Sequence, residues 1–183
     1  MRNMSAADLL SAWEHALGQP PVHQALVLLA AAYPECAPEQ LARLSIGQRD
    51  AQLLALREHW FGPALTSVTT CPQCHERVEL TFSVRDIRAT EPLDTPAIDG
   101  PVRAISIRAN GHVVECRVPT SLDLASLHQD ADADHAGGHL LQRCIVSAVR
   151  DGADGETADP VDVAQLPASV VDAIAEGIAA ADP

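Results

Sequence analysis

Lysine is missing from this chain: all 12 basic side chains are arginine. That absence removes several chemistries at once. A P-loop needs its lysine on the phosphates, a pyridoxal enzyme needs a Schiff-base lysine, and a protein kinase needs its strand lysine. Positive charge is scarce overall. With 25 acidic residues the formal net charge is −13, and nucleic acid is bound by clustered cations, so it is not an expected partner. Aromatic residues make up only 3% of the chain, so a core must come from Leu, Val, Ile and Ala. Long apolar runs are lacking too. The longest, Ala25 to Ala32, is far too short to span a bilayer, and no apolar signal segment follows Met1 to Met4. No membrane association and a cytoplasmic location are therefore expected. There is no Gly-X-Ser-X-Gly elbow, no His-Glu-X-X-His and no Gly-X-Gly-X-X-Gly. The acidic run Asp130, Asp132, Asp134 opens like a calcium loop but has His135 and Leu141 where the turn glycine and the closing glutamate belong.

What remains is a chain of 183 residues, 47% hydrophobic and 20% charged, with the balance of a folded protein of one domain or two small ones. Helical signals dominate its start. Ser5 is a candidate N-cap for a helix carrying Leu9, Leu10, Trp13, Ala16 and Leu17 on one face. A second helix places Leu26, Leu29 and Tyr33 on one stripe, and a short third holds Leu41 and Leu44. Ser45-Ile46-Gly47-Gln48 reads as a capping box, opening a helix that Gly62 ends. On that helix Arg49 and Arg57 stand two turns apart, as local ion-pair residues on a solvated face or as a strip for a partner.

The β signals lie in the middle. Val78, Leu80, Phe82 and Val84 alternate with polar residues after the turn Cys71-Pro72-Gln73-Cys74, and Leu65 to Thr70 enters it. Asn110-Gly111 between alternating runs marks a second hairpin. Pro119 ends it, and Thr120 or Ser121 caps a short helix. Further on, Leu140, Leu141, Cys144, Ile145, Ala148 and Val149 suggest one helix, and Val170, Val171, Ile174 and Ile178 another that begins near Pro167. The fold expected is α+β: a helical part over 1–64, a β-rich middle with two hairpins over 65–119, and C-terminal helices over 120–183, all within one domain if the parts pack together.

Five cysteines without an export signal argue against a disulfide framework, and Cys36, Cys116 and Cys144 lie in apolar surroundings as ordinary buried thiols. Cys71 and Cys74 differ. Two cysteines on a tight turn can hold one metal ion, so these are the candidate metal ligands. A structural zinc takes four ligands, however, and no second Cys-X-X-Cys follows. His59 and His75 are the nearest candidates to help. The alternation from Val78 to Val84 should bury one face on the helices, so folding is not expected to require zinc. A redox dithiol is the other reading, but it wants a helix start behind the first cysteine.

Leu44-Ser45-Ile46-Gly47-Gln48-Arg49-Asp50, Leu53 to Arg57, Phe61-Gly62-Pro63, the Cys-Pro-Gln-Cys turn, Arg117-Val118-Pro119-Thr120-Ser121-Leu122-Asp123-Leu124 and the closing Ala180-Ala181-Asp182-Pro183 together resemble the baseplate hub assembly chaperone family of T-even-type contractile-tail phages and related contractile injection systems. The resemblance runs from about Leu41 to Pro183. It implies a non-enzymatic assembly factor or structural component acting by protein–protein contacts. A hub or other baseplate protein would be the partner, with Arg49 and Arg57 in the contact. Longer members continue into a second Cys-Pro-X-Cys, so zinc here would have an incomplete site within one chain, which two chains of a homodimer could pool. The alternatives are a zinc-ribbon-like regulatory module and a Cys-X-X-Cys redox protein.

Overall fold

In the computed structural model the residues described are 4–89, 104–127, 133–150 and 165–183. Four helices open the chain: α1 (Ala6–Ala16), α2 (Pro21–Ala32), α3 (Pro38–Ala42) and α4 (Ile46–Phe61). Strands β1 (Ala64–Thr70) and β2 (Arg77–Ser83) form an antiparallel hairpin, followed by the short α5 (Val84–Ile87). Then come β3 (Ala104–Ala109), β4 (His112–Arg117), α6 (Ser121–Ala125), α7 (Ala133–Cys144), β5 (Ile145–Arg150) and α8 (Ala168–Ala181). The architecture is α+β, as expected, with helices at both ends and two small sheets.

Local chemistry explains most of these boundaries. Ser5 caps α1 by accepting the Asp8 N–H, and the Asp8 carboxylate accepts the Ser5 N–H in return. Ser45 and Gln48 make the same reciprocal pair at the start of α4. Proline occupies the first position of α2 and of α3, where an N–H would have no helical partner. Asn110 (φ 46°) and Gly111 (φ 69°) turn β3 into β4, both in the left-handed region that a two-residue hairpin turn demands.

Two hydrophobic cores result. The first gathers Leu29, Ala32, Tyr33, Leu41, Leu44 and Leu56, with Met4 and Cys36. Within it the Tyr33 hydroxyl donates to Oε1 of the buried Gln52 at 2.5 Å, so neither polar group is stranded. The second joins Val114, Cys116, Ala148 and Leu166 to Val170 and Ile174 of α8. The last two are fully buried, each worth about 1.5–3 kcal/mol of transfer free energy. The helix stripe predicted for α8 is the one that packs.

Three elements depart from expectation. The helix predicted through Val149 stops at Cys144, and Ile145–Arg150 becomes β5, paired antiparallel with β4. This β-branched run buries Ala148 in the sheet core, and the ladder with β4 outweighs its helical spacing. In α1 the buried residues are Ala12 and Ala16, while Leu10, Trp13 and Leu17 of the predicted apolar face are 54–57% exposed. The β1–β2 hairpin buries its apolar ladder only at the base: Val84 is fully buried and Phe82 half-buried, but Leu80 and Val78 are 46% and 36% exposed. Much of the linker expected over 86–100, the acidic loop at 151–160 and the calcium-like Asp130 and Asp132 lie outside the described residues.

Candidate functional site

Three stretches far apart in sequence meet where α4 begins. Ser45 and Thr120 form an isolated antiparallel bridge, and the Ile46 N–H donates to the Pro119 carbonyl at 3.2 Å. The Asp182 carboxylate, just past α8, closes the junction. Ser45 Oγ donates to Oδ1 at 2.5 Å and the Gly47 N–H donates to Oδ2 at 2.8 Å. An anion at a helix N-terminus suits both the unpaired N–H groups and the helix dipole. Gly47 makes this approach feasible: a Cβ there would lie 2.7 Å from Asp182 Oδ1 and 2.9 Å from the Pro183 carbonyl oxygen.

Beside the bridge sits Asp123, only 1% exposed. Arg117 holds it in a two-pronged pair, Nη1 to Oδ2 at 2.7 Å and Nη2 to Oδ1 at 2.8 Å. Arg143 Nε adds a contact to Oδ1 at 3.2 Å. The Thr120 N–H and hydroxyl donate to Oδ2 at 2.9 and 2.8 Å. Burial alone would raise the carboxyl pKa, but the hydrogen bonds from Arg117 and Thr120, with the Arg117 charge, hold it well below the usual carboxylate range. A carboxylate so fully engaged stays ionised and does not exchange protons near neutral pH. It is a tie between segments rather than an acid or base. A cleft of about 300 Å³ opens next to the junction, lined by Ile46, Asp50, Leu54, Ile87, Arg88 and Pro183 among others.

The two arginines singled out from the sequence occupy opposite ends of α4. Arg49 pairs with Asp50 at 2.7 Å, and its Nη1 lies 3.4 Å from Ser121 Oγ, which brings it to the junction. Arg57 donates to the carbonyls of Gly62 and Ala64 and so ties the helix end to β1.

Cys71 and Cys74 lie at the tip of the β1–β2 hairpin, the first partly exposed and the second exposed. The turn is closed by Cys71 N–H to Glu76 O at 2.8 Å and His75 N–H to Cys71 O at 2.9 Å. His75 takes φ 59°, a left-handed geometry uncommon outside glycine. The N–H groups of Cys74 and Gln73, then the Cys74 thiol, hydrogen bond the Cys71 sulfur and lower its pKa. These are soft donors on a common turn, suited to zinc, but there are two of them. Among the described residues no group of three or more His, Cys, Asp and Glu is placed to hold a metal ion, so neither His59 nor His75 completes a cage there. Strands flank the turn on both sides, with no helix start behind Cys71. The other thiols are buried, and burial pushes the Cys144 pKa up to about 11.

Sequence reasoning gave no role to Asp123, Arg117, Arg143 or Asp182. A signal for one of them was present: Thr120-X-X-Asp123 has capping-box spacing, three residues after Arg117 in a chain short of cations.

A family model described as "T4 bacteriophage base plate protein" matches residues 22–179, and the chain belongs to that family. The match takes in Ser45, Pro119, Thr120 and Asp123 of the junction, α4 and the cysteine turn; it begins after α1 and ends before Asp182. No curated protein and no solved structure matches the chain.

Proposed function

We propose that this protein is a non-enzymatic assembly factor or structural component of a contractile-tail or injection-system baseplate, working through contacts with a hub or other baseplate protein. Membership of the base plate family carries this reading. The character of the surface supports it. Leu10, Trp13 and Leu17 form an exposed apolar stripe at helical spacing on α1, the kind of row that a partner's groove accepts. The buried charges are consumed in joining segments of the chain, as at Asp123. Among the described residues no helix is long and apolar enough to cross a membrane.

Arg49 and Arg57 are the proposed polar contacts, since arginine's planar fork can bond a partner while keeping an internal bond. The test is co-purification with each baseplate protein encoded beside this chain, for the parent and for Arg49→Ala/Arg57→Ala. Capture should weaken about tenfold or more, equivalent to roughly 1.4 kcal/mol, at a temperature well below melting. The internal bonds lost would each lower stability by about 1 kcal/mol. Intact capture by a less stable double variant would reduce both residues to structural ties.

A further inference from the structure

The β1–β2 hairpin carries a thiol pair that no other His, Cys, Asp or Glu among the described residues joins. Zinc in structural sites takes four ligands in a tetrahedron and favours thiolates. The cysteine turn supplies two, already arranged. Backbone bonds from Cys71 N–H to Glu76 O and from His75 N–H to Cys71 O fix the loop. The two thiols stand three positions apart on this turn, Cys71 partly exposed and Cys74 exposed. The remaining cysteines cannot join: Cys36 is in the helical core, and Cys116 and Cys144 are buried with β4 and at the end of α7. No third ligand gathers at the turn among the described residues.

We propose that Cys71 and Cys74 are one half of a zinc site that a second copy of this chain completes, two hairpin tips meeting on a single ion. A copy supplies the same pair, so a two-fold axis through the ion gives four sulfurs with none left over. The surface around the turn suits that arrangement. Thr69 faces Val78 and Ser67 faces Leu80 on one side of the hairpin, whose apolar members become exposed towards the tip. A two-stranded hairpin is marginal by itself, and a partner tip would cover Val78 and Leu80 while the ion clamps the turns. The proposal is independent of the baseplate reading: loss of partner capture leaves it standing, and its failure leaves that reading intact.

The test uses the full chain, made with zinc in the medium and purified under mild reductant without chelator. Elemental analysis and light scattering should find a dimer with one zinc per two chains, and cobalt exchanged for zinc should show the intense absorption of a tetrahedral four-thiolate centre. Cys71→Ser should abolish both metal and dimer with the circular dichroism unchanged, because the turn lies outside both cores. Chelation of the parent protein should do the same without any substitution. One zinc in a monomer would place the missing ligands within the chain and overturn the proposal. So would protein that takes up no added zinc, or a dimer that survives both chelation and Cys71→Ser.

Discussion

Asp123 is a buried charge, and its pH dependence follows from its partners. Its folded pKa is depressed by Arg117 and Thr120 against the opposing effect of burial. In the unfolded chain an aspartate titrates at about 3.9. A depressed folded pKa means that the stabilisation is fully present above that value and is lost as pH falls from there towards the folded pKa. Asp123→Asn leaves the partly exposed Arg117 facing a neutral amide, and since breaking a fully buried pair costs about 3–5 kcal/mol, the loss here should fall at or below the low end of that range. Urea denaturation at pH 7 should show a loss of that order, and the gap to the parent should narrow below about pH 4. An equal gap at pH 7 and pH 3 would mean that packing, rather than charge, makes the residue matter.

At the scale of the element, α4 depends on a cap delivered from the other end of the chain. Alanine is normally the better helix former by about 1 kcal/mol, yet Gly47→Ala is expected to destabilise. Its Cβ would strike both the Asp182 side chain and the Pro183 backbone, and losing a cap costs about 0.5–2 kcal/mol. Asp182→Ala should cost a similar amount. Both changes disturb the same Asp182 contact, so the double variant should lose less than the sum of the two single losses, the remainder being the Cβ contact with the Pro183 carbonyl, and the coupling is read in a double-mutant cycle of thermal melts. Fully additive losses would show that Gly47 acts through the Pro183 backbone alone and not through Asp182. The β1–β2 hairpin is the contrasting element: its tip leans on neither core, and substitutions there should change contacts with other molecules more than stability.

Across the whole molecule, the helical core and the sheet core are tied by a small set of polar bonds: the Ser45–Thr120 bridge, Ile46 to Pro119, Arg49 to Ser121 and Asp182 to Ser45 and Gly47. With these in place the chain should unfold as one cooperative unit. Tryptophan fluorescence reports on the helical half alone, through Trp60 packed against its core and the exposed Trp13 of α1, and far-ultraviolet dichroism reports on both halves. The two signals should coincide in the parent and separate in Asp123→Asn/Asp182→Ala. Distinct transitions in the parent would show that the ties do not couple the cores.

The features legible in the sequence are those whose causes lie within a few residues. The Ser5 and Ser45 caps, the Gly62 stop, the Asn110-Gly111 turn and the α8 stripe follow from local hydrogen bonding, backbone freedom or periodicity, and each stands as read. The order of short motifs also pointed to a baseplate family. Tertiary structure decided what depends on distant partners. Ile145–Arg150 had a helix-like spacing until β4 offered a ladder. The burial of Ala12 rather than Trp13 was set by how α1 meets α2. Asp123 draws on Arg143, 20 residues away, and Asp182 reaches Gly47 across 135. No window of sequence contains both members of such a pair, and a carboxylate's role is defined by which donors the fold brings to it.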